Sequence, residues 1–79
     1  MNESMDHLPD FAIERLKQIS EKTNLLFENL VKAYKKVYAT ADISMMVEDR
    51  HRYAIMRIWI KFIASPEGAD PNQLLKELL

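Results

Sequence analysis

At 79 residues the chain is long enough for one small domain, which buries only about 60% of the surface that its unfolded form exposes. The absence of cysteine excludes disulfides and thiolate metal sites. One glycine and three prolines are too few for a turn-rich β protein, and a hydrophobic content of 48% argues against disorder. The net charge of −1 gives no overall attraction to nucleic acid or to anionic membranes.

The charges are distributed unevenly along the chain. Residues 11–65 hold ten Lys and Arg against six Asp and Glu, whereas residues 1–10 and 66–79 are net acidic. Residues 1–8 are predicted to be a flexible N-terminus, with residues 9–79 as the domain, and they lack the basic and apolar regions of a signal peptide. The longest apolar run, residues 53–64, is shorter than the roughly 20 residues that cross a bilayer. We expect a cytoplasmic protein.

Residues 9–39 are predicted to form one long helix. After Pro9, which suits a helix start, the sequence has no glycine or proline up to residue 39. Apolar or small residues recur at alternating spacings of four and three, which is a heptad repeat. The positions of this repeat are Ala12, Leu16, Ile19, Thr23, Leu26, Leu30, Ala33 and Val37.

Two further helices are predicted, over residues 43–65 and 71–79. Thr40, Asp42 or Ser44 is expected to cap the first of these. Asp70 followed by Pro71 is a typical beginning for the second, because aspartate caps the helix and proline suits its first position. The short connection between the two long helices predicts an antiparallel hairpin.

The apolar side of the helix over residues 43–65 is wider than one neighbouring helix can cover. At about 100° per residue, one narrow stripe is formed by Arg50, Ala54, Arg57 and Lys61. The remaining arc of roughly 220° consists of Ile55, Met56, Ile58, Trp59, Ile60, Phe62 and Ile63. We expect the first long helix to cover Ile55, Ile58 and Phe62.

The apolar residues left over are predicted to bind another protein chain, because large exposed apolar patches normally mark interfaces. Together with leucines of the C-terminal helix, the predicted partner-binding residues are Tyr53, Met56, Trp59, Ile60, Ile63, Leu75, Leu78 and Leu79. The alternative is that the C-terminal helix itself closes a monomeric three-helix bundle.

A metal site is the first alternative function. Glu48 and His51 have the Glu-x-x-His spacing with which ferritin-like hairpins bind metal, usually with a glutamate from a facing helix. Glu28, the nearest candidate, falls on the outer side of the heptad repeat, and the arginines beside His51 would repel a cation. An ion-paired surface is therefore the favoured interpretation, with no metal and no cofactor.

A nucleic-acid-binding regulator is the second alternative. Lysines and tyrosines interleave in the first long helix, and a hairpin could bring arginines of the second helix close to them. The residues of this basic patch would be Lys32, Lys35, Lys36, Arg50, Arg52 and Arg57. Tyr34 lies on the apolar flank, however, so the lysines fit the ordinary solvent-facing side of an amphipathic helix.

The sequence thus predicts an all-α protein that pairs with a second copy of itself into a four-helix-type bundle. The function expected is that of a non-enzymatic adaptor, regulator or inhibitor that binds through an apolar helical face. A different protein is the other possible partner. No residue is predicted to be catalytic, since neither histidine has a serine or cysteine beside it and no glycine-rich loop is present.

Overall fold

The computed structural model describes residues 8–65 and 68–79. They form four helices: α1 (Asp10–Thr23), α2 (Phe27–Ala39), α3 (Val47–Phe62) and α4 (Pro71–Leu78). The predicted all-α class is confirmed, and no strand occurs in these two segments. None of their helices has the length and apolarity needed to span a bilayer. The N-terminus that was predicted to be flexible comprises residues 1–8. Residues 1–7 lie outside the described residues, and Leu8 packs against the core.

The prediction of one continuous helix over residues 9–39 is wrong, because the helix ends at Thr23 and a new one begins at Phe27. Asn24 has a φ of 63°, in the left-handed region, and its N–H donates to the carbonyl of Ser20 at 2.8 Å. Asparagine adopts this conformation more readily than most residues and so can end a helix. An unbroken helix would be roughly 45 Å long, whereas the greatest extent of the structure is 36 Å.

Side-chain hydrogen bonds stabilise the non-helical backbone at the break. The hydroxyl of Ser20 donates to the carbonyl of Leu25 at 2.6 Å, and the hydroxyl of Thr23 accepts from the N–H of Leu25 at 3.3 Å. Such local bonds compete with the helical ones. The break also changes the apolar repeat, because Leu25 is 6% exposed whereas Leu26, the predicted position, is 62% exposed.

The antiparallel pair of helices is made by α2 and α3, which pack along each other. Helix α3 begins at Val47 rather than at residue 43, because Asp42 forms a turn of its own by accepting from the N–H and hydroxyl of Ser44, both at 2.9 Å. Met46 takes the N-cap position, so the predicted capping by Thr40, Asp42 or Ser44 is wrong.

Helix α1 lies beside both α2 and α3. Phe11 contacts Arg52, and four residues further on Arg15 contacts Trp59. The residue numbers of both contact partners increase from the first pair to the second, so α1 runs in the same direction as α3. The half of the predicted long helix that lies before Asn24 thus folds back and covers α3.

Helix α4 packs against α2 and α3. Its predicted beginning is confirmed: the Asp70 carboxylate accepts from the N–H of Asn72 at 3.1 Å, and Pro71 is the first residue. The core between the four helices is formed by Ala12, Leu16, Ile19, Leu25, Leu30, Ala33, Tyr34, Val37, Ala54, Ile55, Ile58, Phe62 and Leu75. One copy of the chain therefore already packs four helices around a single core.

Candidate protein-binding surface

Helix α3 has a buried inner side and a partly exposed outer side. Ile55, Ile58 and Phe62 are buried in the core. The first long helix was predicted to cover them, but that helix is divided into α1 and α2, which both pack against α3. On the outer side, Met56 is 54% exposed and Ile60 is 52% exposed. Residues four apart on a helix are neighbours, so these two side chains form a short apolar ridge.

The inner side of α3 is wider than predicted. Ala54 was placed in the polar stripe with Arg50, but it is fully buried. Arg50 is itself half-buried, and its guanidinium lies 4.7 Å from the centre of the Tyr38 ring. Because α1 and α2 both pack against α3, the helix has two long neighbours rather than the single one that the hairpin prediction assumed.

The predicted partner-binding residues do not all reach the surface. Leu75 is 7% exposed and belongs to the core, so its assignment to a partner is corrected. Leu79 is about half exposed at the end of α4. Four others are partly buried and pack against the core: Tyr53, Trp59, Ile63 and Leu78.

A groove of about 320 Å³ separates α1 from α3 on one side of the ridge. Its aromatic walls each carry an arginine: the guanidinium carbon of Arg15 lies 4.6 Å from the centre of the Trp59 ring, and that of Arg52 lies 5.0 Å from the centre of the Phe11 ring. The lining residues of this α1–α3 groove are Phe11, Arg15, Arg52, Ile55, Met56 and Trp59.

A second groove, of about 370 Å³, lies between α3 and α4 on the other side of the ridge. Arg57 donates to the Tyr53 hydroxyl at 3.1 Å, and Lys61 forms an ion pair with Glu77 at 3.2 Å. The lining residues of this α3–α4 groove are Arg57, Ile60, Lys61, Ala64, Ser65 and Leu74. Met56, Trp59 and Ile60, which lie along and between the two grooves, are called the α3 outer surface below.

Cationic side chains surround the α3 outer surface, and we call Arg15, Arg52, Arg57 and Lys61 its cationic rim. Arg52 pairs with Glu48 at 2.7 Å and Lys61 pairs with Glu77. Within residues 8–65 and 68–79, no carboxylate forms an ion pair with either Arg15 or Arg57. Sequence reasoning missed the rim, because Arg15 joins it only through the fold-back of α1.

The structure separates the two residues of the predicted metal pair. Glu48 lies on the surface with Arg52, whereas His51 is 9% exposed and its Nδ1 lies 2.6 Å from the Tyr34 hydroxyl. No group of three His, Cys, Asp or Glu residues is placed to hold a metal ion in the part of the chain that the structure describes. His51 instead belongs to the contact between α2 and α3.

Aromatic rings enclose His51. The Tyr38 ring lies 4.5 Å from the imidazole, centre to centre, and the Tyr34 ring lies 5.9 Å away. Burial lowers the pKa of His51, and the nearby Arg50 guanidinium lowers it further, so the neutral imidazole is favoured. Burial likewise raises the pKa of Tyr34. The neutral Tyr34 hydroxyl can therefore donate to the neutral imidazole.

The predicted basic patch is divided among several contacts. Arg52 and Arg57 line the two grooves, and Arg50 covers the Tyr38 ring. Lys36 lies apart from these arginines, at the C-terminal end of α4, where it donates to the Leu79 carbonyl at 3.2 Å. Lys32 is exposed on α2. Arg52 and Arg57 thus border the α3 outer surface, whereas Arg50 belongs to the contact between α2 and α3, and the lysines share no common patch with them.

The connection between α2 and α3 carries exposed apolar residues that sequence reasoning did not single out. Ile43 and Met46 are highly exposed there, and Val47 is exposed in the first turn of α3. They precede the apolar run of residues 53–64, from which the partner-binding surface was predicted.

Comparison with known proteins gave no relatives: no family model, no curated protein and no solved structure matches this chain.

Proposed function

We propose that the chain is a non-enzymatic protein-interaction module, an adaptor, regulator or inhibitor, that binds another protein chain through the α3 outer surface. The observation that supports this most is the exposed ridge of Met56 and Ile60 with a groove on each side. Large apolar side chains between concave, partly apolar grooves are typical of helix-binding surfaces. Trp59, at the wall of one groove, is a residue type enriched among interface anchors.

Covering the ridge contributes a modest but favourable free energy of binding. Full burial of one large apolar side chain contributes about 1.5–3 kcal/mol, and the ridge residues retain about half of their exposure. A partner that covered both side chains would gain the part of this free energy that corresponds to their remaining exposure. Ile55, Ile58 and Phe62 are already buried within the chain, and the exposed Val47 lies in the first turn of α3, outside both groove linings.

A second copy of the chain is one partner that this proposal includes, since two-fold dimers are the commonest assembly. Two copies paired along α3 would bring four-helix units together rather than build a four-helix-type bundle from two hairpins. A face-to-face pairing would also place Arg57 and Lys61 of both copies close to one another, and like charges oppose such contact.

Site-specific photo-crosslinking in the native cell tests the proposal. A photoreactive residue in place of Ile60 is expected to give a discrete protein adduct after irradiation, because the partner would lie directly against this position. The matched control places the same residue at Lys17, which is exposed on α1 and lies outside both groove linings. An adduct of twice the chain's mass indicates self-association, and another mass indicates a different protein. Equal labelling from both positions would contradict the proposal.

A further inference from the structure

The apolar side chains of the α3 outer surface lie next to the cations of its rim. Along α3, Arg52, Met56 and Ile60 follow one another at spacings of four, so they lie in one row. Arg57 and Lys61 flank this row on the side of α4, and Arg15 of α1 flanks it across the α1–α3 groove. A chain with a net charge of −1 thus presents a cationic rim around the apolar ridge of Met56 and Ile60.

We infer that this surface recognises an amphipathic helix of another protein whose apolar stripe is bordered by Asp and Glu. The inference rests on the proposed function and names the chemistry of the partner. Apolar side chains of that helix would enter the two grooves, and its carboxylates would meet the cationic rim. Opposite charges placed in this way select the partner and its orientation more than they add affinity.

The shape of the surface favours a helix as the occupant. Helices pack by placing the side-chain ridge of one between the ridges of the other, and the α3 outer surface offers one ridge with a groove on each side. Met56 borders the first groove and Ile60 borders the second, so a partner helix crossing α3 would contact both. Arg15 and Arg57 stand on opposite sides of that crossing.

The contacts that Arg15 and Arg57 make within the chain favour carboxylates as their partners in a complex. Arg15 rests on Trp59, and Arg57 lies 5.6 Å from the centre of the Tyr53 ring. A guanidinium that stacks on an aromatic face keeps N–H groups in its own plane, where they can donate to a carboxylate in pairs. Contact with the Trp59 ring holds Arg15 at one groove edge, and a hydrogen bond to the Tyr53 hydroxyl holds Arg57 at the other. No carboxylate within residues 8–65 and 68–79 forms an ion pair with either.

Nucleic acid fits this surface less well. Glu48 and Glu77 lie beside Arg52 and Lys61, and both carboxylates would repel a phosphate backbone that needs many cations along its path. The groove linings also include apolar residues such as Ile55 and Leu74. A second copy of the chain is disfavoured by the repulsion between two cationic rims.

Two designed peptides test the inference directly. Both are fluorescently labelled helices with the same leucine stripe, bordered by glutamates in one and by lysines in the other. Titration with the full chain, followed by fluorescence anisotropy, is expected to show binding of the acidic peptide with a Kd at least about tenfold lower than that of the basic one, a ratio that corresponds to about 1.4 kcal/mol. The preference should shrink at high salt, since salt screens exposed charges.

Matched variants assign the preference to the rim. Arg15→Glu combined with Arg57→Glu is expected to weaken binding of the acidic peptide about tenfold, because two exposed attractive contacts become repulsive. The control, Lys17→Glu combined with Lys22→Glu, makes the same change in net charge on exposed positions of α1 outside both groove linings and should bind as the unaltered chain does. Circular dichroism verifies that each variant folds. If Arg15→Glu with Arg57→Glu does not fold, Arg15→Gln with Arg57→Gln takes its place.

Several outcomes would overturn the inference. Equal affinity for the two peptides, with binding lost in Met56→Asp, would remove the charge preference and leave the proposed function standing. Binding of neither peptide would also overturn the inference, and the crosslinking at Ile60 would then judge the proposed function separately. Tighter binding to a 20-base-pair duplex or to anionic vesicles, or a dimer in light scattering that Ile60→Asp dissociates, would assign the surface to a different occupant.

Discussion

The inner and outer sides of α3 differ although their residues are similar in kind. Ile58 is fully buried, whereas Ile60, two positions later, is 52% exposed. Hydrophobicity alone does not distinguish them. The difference comes from α1 and α2, which both pack on the inner side, and it shows that the number of neighbouring helices decides which part of an apolar helix stays available.

Polar groups on the two sides of α3 differ as well. On the inner side, His51 and Tyr34 bond to each other and are favoured in their neutral forms. On the outer side, Arg15 lies against the Trp59 ring and Arg57 donates to the Tyr53 hydroxyl. The buried tyrosine and histidine thus bond to each other within the chain, whereas the exposed arginines lie where a partner can reach them.

The largest effect is expected from Ile58→Ala. Removing a fully buried isoleucine side chain loses its transfer free energy and leaves a cavity, which should lower the free energy of unfolding by about 2–5 kcal/mol. Ile60→Ala is the matched control on the outer side and should change stability by only about 0.5 kcal/mol. Urea denaturation followed by circular dichroism measures both. Similar losses in the two variants would show that the sides of α3 are not distinct.

A smaller effect is expected from Tyr34→Phe, which removes the hydroxyl bonded to Nδ1 of His51. Leaving the buried Nδ1 without its hydrogen-bond partner should cost about 1–3 kcal/mol of stability. Tyr53→Phe is the control, because the Tyr53 hydroxyl bonds to Arg57 on the exposed side. The two unfolding curves, compared at pH 7.5, check the prediction. A Tyr34→Phe variant as stable as the unaltered chain would mean that the inner contact contributes no net stability.

The smallest effect is a dependence of stability on pH. The groups facing His51 are Arg50, Tyr34 and Tyr38, and burial followed by Arg50 lowers its pKa from the ordinary 6.5. Below pH 6.5 the unfolded chain then binds a proton that the folded chain takes up only at lower pH, so stability falls as the pH is lowered.

Urea midpoints at pH 7.5 and 5.5 measure this dependence, with His51→Gln as the comparison. The unaltered chain should lose more stability between these two pH values than the variant does. Equal losses would show that other groups cause the change.

Sequence reasoning identified the helical class and several contacts correctly. Regular spacing predicted α3 with its buried residues Ile55, Ile58 and Phe62, and Asp70 with Pro71 predicted the beginning of α4. These features depend on residues close together in the chain, where helical periodicity and capping rules apply. Met56 and Ile60 were also placed correctly on the exposed side.

The break in the predicted long helix was missed because the heptad repeat continues through it. Asn24 carries no strong stop signal when neither glycine nor proline is near, and the bonds from Ser20 and Thr23 depend on the backbone already having turned. With the break missed, Arg15 could not be placed beside Trp59. The grooves and the cationic rim followed from that tertiary contact, so the sequence predicted the ridge but not its surroundings.

The reversal at Asn24 also determines how much of the chain must be ordered before the groove walls exist. Arg15 and Trp59 are about 44 positions apart in the sequence, so their contact closes a loop that contains all of α2. The entropy lost in closing such a loop grows only slowly with its length. A long insertion in the connection between α2 and α3, whose residues do not line the α1–α3 groove, would thus enlarge this loop at a small cost in free energy.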